Sequence, residues 1–204
     1  MTADSDLLPF SSDSRVAGID EVGRGALFGP VVAAAVVLSP ESEVCLAAIG
    51  VQDSKQLTSK TRLDLASQIR STALDYQIRM ASVVEIDRLN ILQATLLAMK
   101  RAVLRLHPLP DLCLIDGNQR IPDLQIPQRT IVKGDQNSVA IASASILAKV
   151  WRDQLIIRLA SKYSVYDLAQ NKGYGTKRHR QALQQYGPSR QHRLSFSPCQ
   201  ILRT

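Results

Sequence analysis

The sequence has little of what builds soft-metal sites. Among 204 residues there are three cysteines, Cys45, Cys113 and Cys199, and three histidines. The cysteines lie far apart and form no C-x-x-C pair. That excludes the usual zinc spacings and a disulfide framework, and fits inert thiols in a reducing compartment. Long hydrophobic runs are also missing. The longest, Val31 to Leu38, falls far short of the ~20 apolar residues that span a bilayer. The opening stretch, MTADSDLLPFSSDSR, lacks the basic start and apolar centre of a secretory signal. The expectation is a cytoplasmic protein without membrane contact, with residues 1–14 a loose polar tail. Repeats and low-complexity linkers are absent as well.

Charge, by contrast, is unevenly placed. The chain carries 25 Lys and Arg against 18 Asp and Glu. From Trp151 to Thr204 there are ten basic residues and two acids, so all of the excess sits in the last quarter. A basic segment of this kind suits a polyanion, since each neutralised phosphate releases counterions. It is equally compatible with a solvated surface kept for solubility.

Hydrophobic patterning predicts strands over Arg15–Asp20 and Val31–Leu38, joined by a glycine-rich turn from Gly23 to Pro30. The second is apolar throughout and reads as buried on both faces. Thr58 is placed to cap a helix to Thr72, with Leu63, Ala66, Ile69 and Ala73 on its inner face. Alternation at Tyr76, Ile78 and Met80 marks a strand, and Ile86 to Leu106 reads as one helix. Further strands are expected at Leu112–Asp116 and Gln128–Lys133, a long helix from Asn137 to Lys162, and a last one from Thr176 to Tyr186. The order implies a mixed α/β sheet with helices on its faces.

Four carboxylates stand at predicted strand or turn ends: Asp20, Glu21, Asp116 and Asp135. Loops at such ends expose side chains above a rigid platform. Carboxylates that converge repel one another, and hard oxygen donors without His or Cys suit Mg²⁺ or Mn²⁺ as the compensating cation. Spacing alone leaves scattered surface charge as a second reading. Adjacent residues on a regular strand also face opposite ways, so Asp20 and Glu21 can share a site only if the strand ends or bulges there.

The residues go further than the spacing. Ala17 to Gly25 read AGIDEVGRG and are followed by Gly29-Pro30-Val31-Val32-Ala33-Ala34. Then come Asp53-Ser54-Lys55-Gln56-Leu57, Ile115-Asp116-Gly117-Asn118, and Lys133-Gly134-Asp135. Ser143 to Val150 with Arg152-Asp153, Lys172 to Lys177, and His192 to Phe196 complete the series. In identity and order these blocks resemble the bacterial ribonuclease HII family over residues 15–198. The resemblance implies a ribonuclease H-like fold, a mixed sheet flanked by helices, with a small basic helical C-terminal segment over about 155–204 inside one catalytic domain. It implies an endonuclease that hydrolyses the RNA strand of RNA/DNA hybrids and cuts 5′ of ribonucleotides embedded in duplex DNA, leaving 3′-hydroxyl and 5′-phosphate ends. Asp20, Glu21, Asp116 and Asp135 would hold two Mg²⁺ or Mn²⁺ ions about 4 Å apart across the scissile phosphate. As fourth acid the family pattern favours Asp135 over Asp153, which an ordinary helix ion pair beside Arg152 explains.

By the same resemblance, Gly23, Arg24 and Gly25 would bring backbone groups against the ribose 2′-hydroxyl, the group that separates RNA from DNA. Tyr174 would pack on the adjacent sugar, and Lys55, Thr176 and Lys177 would meet phosphates. Each has a plainer reading, as a turn, a rim tyrosine, or solvated charge. His179 and His192 are not assigned to catalysis, and His192 is expected to order the C-terminal segment. A non-catalytic hybrid-binding protein and another nuclease of the same fold, such as a junction resolvase or transposase, are the competing readings. Arg24 and the short stretch before the first strand favour type HII over type HIII. A monomer is expected, with no sliding-clamp peptide near the C-terminus.

Overall fold

β1 (Val16–Val22) and β2 (Val31–Val37) form an antiparallel pair in unbroken register, from Ala17 opposite Val37 to Val22 opposite Val32. The computed structural model describes residues 14–51 and 58–200. The tail expected over 1–14 falls almost wholly outside them, as does the segment containing Lys55. β3 (Asp75–Ala81) extends the sheet beside β2. On the other side β4 (Leu112–Asp116) and β5 (Gln128–Ile131) add in parallel, giving the order β3-β2-β1-β4-β5.

The period of two along β2 feeds two cores at once. Val31, Ala33, Ala35 and Val37 face α3 (Val83–Leu89) and α4 (Ile91–Val103). Val32, Ala34 and Val36 face α1 (Pro40–Ala48), α2 (Ser59–Thr72) and the long α6 (Val139–Ala160). Burial on both sides is why this strand is apolar throughout. The alanines keep both helical layers close to the sheet. Gly18 of β1 carries the closest approach, since a Cβ there would stand 2.2 Å from the Ala140 carbonyl carbon of α6.

Three expectations need correction. The helix expected over Ile86–Leu106 is two helices, because Asn90 adopts φ 71° and its side chain caps α4 by accepting the Gln93 N–H. The inner face of α2 is Leu65, Ala66 and Ile69, while Leu63 is exposed. Helix α1 was not anticipated, although its start is written in the chain. Ser39 accepts the Ser42 N–H, and Pro40 follows at the first helical position.

The C-terminal segment packs on the far end of α6. A 3₁₀ turn (Ser164–Tyr166), α7 (Leu168–Asn171), α8 (Lys177–Tyr186) and α9 (Ser197–Gln200) enclose a third core of Phe28, Ile156, Tyr166, Leu168, Leu183 and Cys199. Inside it His179 and His192 meet, Nε2 to Nε2, at 3.0 Å. His192 Nδ1 accepts the Ser189 N–H, so His192 carries its proton on Nε2 and donates to His179. His179 then donates from Nδ1 to the Tyr174 carbonyl. This arrangement ties the C-terminal segment to the loop of Tyr174, as expected for His192.

That pair makes stability pH-dependent. Burial, reinforced by the other imidazole, pushes His192 down to about 4, and burial lowers His179. The native pair therefore refuses protons that the unfolded chain accepts below about 6.5, and stability falls as pH drops from 6.5 toward 4. Thermal denaturation should show a loss of about 1 to 2 kcal/mol between pH 7 and 5 that is clearly smaller in His192→Gln, where only the burial of His179 remains. Equal pH slopes in the two proteins would refute this origin.

Candidate active site

β1 projects past β4 at the carboxyl edge of the parallel strands. The two pair only as far as Ile19 opposite Ile115, and the next residues are Asp20 and Asp116. Cys113 and Ile115 belong to the core on the α3–α4 side, so Asp116 faces the α6 side, as Gly18 does. Open α/β sheets hold ligands at this edge, where one strand connects to each side.

Asp20 is 6% exposed. Its carboxyl pKa is raised well above the ordinary value, first by burial, then by the charges of Glu21 and Asp116. Hydrogen bonds from Ser145 of α6 and from the Glu21 N–H, at 2.6 Å, pull the other way. Glu21 is likewise raised by burial and by Asp116, against its ion pair with Arg24 at 3.3 Å. Three carboxyl groups thus lie within one another's field. Of the two alternatives, a strand end or a bulge, the bulge is absent, because β1 stays in register with β2 through Val22. Glu21 reaches the cluster because β4 has already ended beside it.

Asp135 arrives differently. Lys133 turns the chain with φ 56°, and a single helical turn, α5 (Gly134–Asn137), follows β5. The Gly134 N–H donates to Asp116 Oδ1 at 2.7 Å, which anchors this turn to the end of β4. Asp135 itself is buried. Among the described residues, no three Asp, Glu, His or Cys side chains are drawn close enough to hold an ion between them. Asp153 pairs with Lys149 at 3.0 Å along α6, and not with its neighbour Arg152.

The donor chemistry nonetheless fits a hard divalent cation. Asp20, Glu21 and Asp116 offer only oxygen, repel one another, and include one ion pair among them, Arg24 to Glu21. A cation relieves the repulsion that raises Asp20 and Glu21.

Beside the acids lies the glycine turn. Ala26 donates back to the Gly23 carbonyl at 3.3 Å, closing a turn over Gly23-Arg24-Gly25-Ala26. The two glycines differ. Gly23 has φ 91°, and a Cβ there would stand 2.2 Å from Arg152 Nε, so the fold itself demands glycine. Gly25 is exposed, and a Cβ there would meet nothing within 4 Å. No crowding inside the protein requires glycine at 25.

Tyr174 is joined to this turn. Ala26 and Tyr174 form an isolated antiparallel bridge, and the Leu27 and Phe28 N–H groups both donate to the Gly173 carbonyl. The Tyr174 ring lies 5.4 Å from the Arg152 guanidinium and 5.6 Å from Lys149 Nζ. Thr176 caps α8 by accepting the His179 N–H, and Lys177 follows on an open face shared with Arg180. Among the described residues of the basic quarter, two arginines are not at the surface. Arg152 and Arg193 are fully buried and donate to backbone carbonyls around the turn. Nothing in their sequence context marks them as internal.

A mixed five-stranded sheet of this order, flanked by helices and with acids at the ends of β1 and β4, is a ribonuclease H-like fold. The ribonuclease HII family model matches residues 17–199. Ribonuclease HII of Acaryochloris marina is 64% identical over 189 residues, covering 93% of this chain and 96% of that protein. That of Trichodesmium erythraeum is 70% identical over 184 residues, 90% of this chain and 87% of that protein. The ribonuclease H2 structure from Pyrococcus horikoshii OT3 superposes with a TM-score of 0.79 at 28% identity, covering 91% of this chain and 95% of that one. An Archaeoglobus fulgidus structure titled as a PCNA:RNase HII complex gives a TM-score of 0.73 at 30% identity over 84% of this chain and 88% of that one. Bst-RNase HIII, solved with Mn²⁺, shares the fold with a TM-score of 0.75 at 20% identity, over 92% of this chain and 68% of that one. The chain belongs to the ribonuclease HII family, and is an endonuclease of the ribonuclease H type acting on RNA/DNA hybrids. Among the described residues no helix is long and apolar enough to cross a membrane.

Proposed function

We propose that the protein cuts the phosphodiester on the 5′ side of ribonucleotides, both in hybrids and at single ribonucleotides embedded in duplex DNA, leaving 3′-hydroxyl and 5′-phosphate ends. The observation that carries this reading is the carboxyl cluster of Asp20, Glu21 and Asp116 beside a glycine turn bridged to the loop of Tyr174. Asp20, Glu21, Asp116 and Asp135 would hold two Mg²⁺ or Mn²⁺ ions. When bound, such ions lower the pKa of the attacking water and neutralise charge on the phosphate and the leaving oxygen.

The chain's own residues do the rest. Ser145 orients Asp20, and the Gly134 N–H orients Asp116. Gly23, Arg24 and Gly25 bring backbone against the 2′-hydroxyl. The Tyr174 ring packs on the neighbouring sugar. Lys55, Thr176 and Lys177 take phosphates and fix the duplex in register. Residues 15–204 act as one catalytic unit, with the basic segment from about 155 gripping the duplex. The protein works as a cytoplasmic monomer in removing ribonucleotides from DNA.

The test is a DNA duplex with one ribonucleotide, incubated with Mg²⁺ or Mn²⁺. One cut immediately 5′ of the ribonucleotide is expected. No cutting with either metal, or equal cutting of all-DNA duplex, overturns the reading. Gly25→Ala should melt with the wild type yet lose about tenfold or more in kcat/KM, because a methyl group then separates backbone from sugar.

A further inference from the structure

Arg193 lies 0% exposed with no ion-pair partner among the described residues. Burial, followed by repulsion from Arg152, pushes it down to about 9. A buried guanidinium without an ion pair is costly even over the Phe196 ring, 5.1 Å away, and an apolar side chain would fill the same space at less cost. Its hydrogen bonds show what an apolar side chain could not do. Nη1 donates to the Arg24 carbonyl at 2.7 Å and Nε to the Gly29 carbonyl at 3.0 Å, while the Arg193 N–H donates to the Leu27 carbonyl at 2.9 Å. One rigid fork therefore grips both ends of the glycine loop.

The Arg24 bond acts on the peptide that matters most. In a four-residue turn, the middle peptide can flip between two orientations at little change elsewhere. Here that peptide joins Arg24 to Gly25. Arg193 draws its carbonyl inward, and because C=O and N–H of a trans peptide point opposite ways, the Gly25 N–H is aimed outward. That N–H has no partner among the described residues, and the space over Gly25 is open. The nearby positive charge also polarises the peptide and strengthens the donor at its other end.

We infer that Arg193 is a positioning residue for ribose recognition. It locks the Arg24–Gly25 peptide so that the Gly25 N–H meets the 2′-hydroxyl, and thereby sets the preference for ribose over deoxyribose. The inference rests on the glycine turn being the ribose sensor.

The test compares the wild type with Arg193→Lys and Arg193→Gln, each at a temperature where circular dichroism shows it folded. Affinities are read by fluorescence anisotropy in EDTA for duplex DNA with one ribonucleotide and for all-DNA duplex. The wild type should favour the ribonucleotide duplex. In both variants that preference should fall by about tenfold or to unity, the value of one well-placed hydrogen bond, with all-DNA affinity unchanged. A merely structural role would lower melting temperature and leave the preference intact, which overturns the inference. Should neither variant fold, the wild-type Gly25 amide resonance decides: it should shift with the ribonucleotide duplex and not with all-DNA duplex, and equal behaviour overturns the proposal. Equal wild-type affinity for both duplexes, with cutting at the ribonucleotide intact, overturns it too. Loss of ribonucleotide-dependent cutting in the wild type would instead sink the parent reading.

Discussion

Replacing Asp116 by Asn is expected to abolish cleavage while the protein stays folded and still binds duplex. Removing partners that merely orient metal ligands costs ~10–100-fold, so loss of a ligand should cost about a thousandfold or more. Stability should not fall, for two reasons. The Asn oxygen can still accept the Gly134 N–H that Asp116 accepts at 2.7 Å. The substitution also removes one of the charges that raise Asp20 and Glu21. Kinetics with Mg²⁺ and Mn²⁺, beside anisotropy and thermal denaturation, check all three. Cleavage within tenfold of the wild type would remove Asp116 from the site. Intact binding with lost cutting would separate a hydrolase from a protein that only grips hybrids.

The largest expected effect on folding lies at Gly18. Gly18→Ala places a methyl carbon 2.2 Å from the Ala140 carbonyl carbon and 2.3 Å from the Ile141 nitrogen. Backbone cannot swing aside as a side chain can, so α6 must lift from the sheet. Overpacking of this kind costs about 3 kcal/mol or more. In a chain of this length that corresponds to a fall of roughly 6–12 °C in Tm. Activity should fall further than stability alone requires, since Ser145, which orients Asp20, rides on the same helix. A Gly18→Ala protein that melts with the wild type would refute close packing of α6 on β1 as the reason for glycine at this position.

Much of this was legible in the chain. The run Val31–Val37 announced a strand buried on both faces, because each residue meets a different helical layer. Thr58 and Thr176 announced helix starts, and their side chains cap α2 and α8. The ordered blocks from Ala17 to Phe196 carried the family. The helix ion pair expected for Asp153 forms, with Lys149 as its partner rather than Arg152.

Other features were decided only when distant segments met. The break at Asn90 is invisible to periodicity, because both halves keep an apolar face and one left-handed residue redirects them. Glu21 joins Asp20 without a bulge because β4 stops one residue beyond the last pair, a fact of sheet register between segments about a hundred positions apart. Gly23 and Gly25 look alike in the sequence, yet one is held by Arg152 and the other faces open space. Arg152 and Arg193 read as part of a basic surface, but each is buried against carbonyls more than a hundred residues away. Local pattern sets which strands and helices form and which chemistry their ends carry. Only tertiary packing sets which backbone groups a buried guanidinium reaches, because those partners come from opposite ends of the chain.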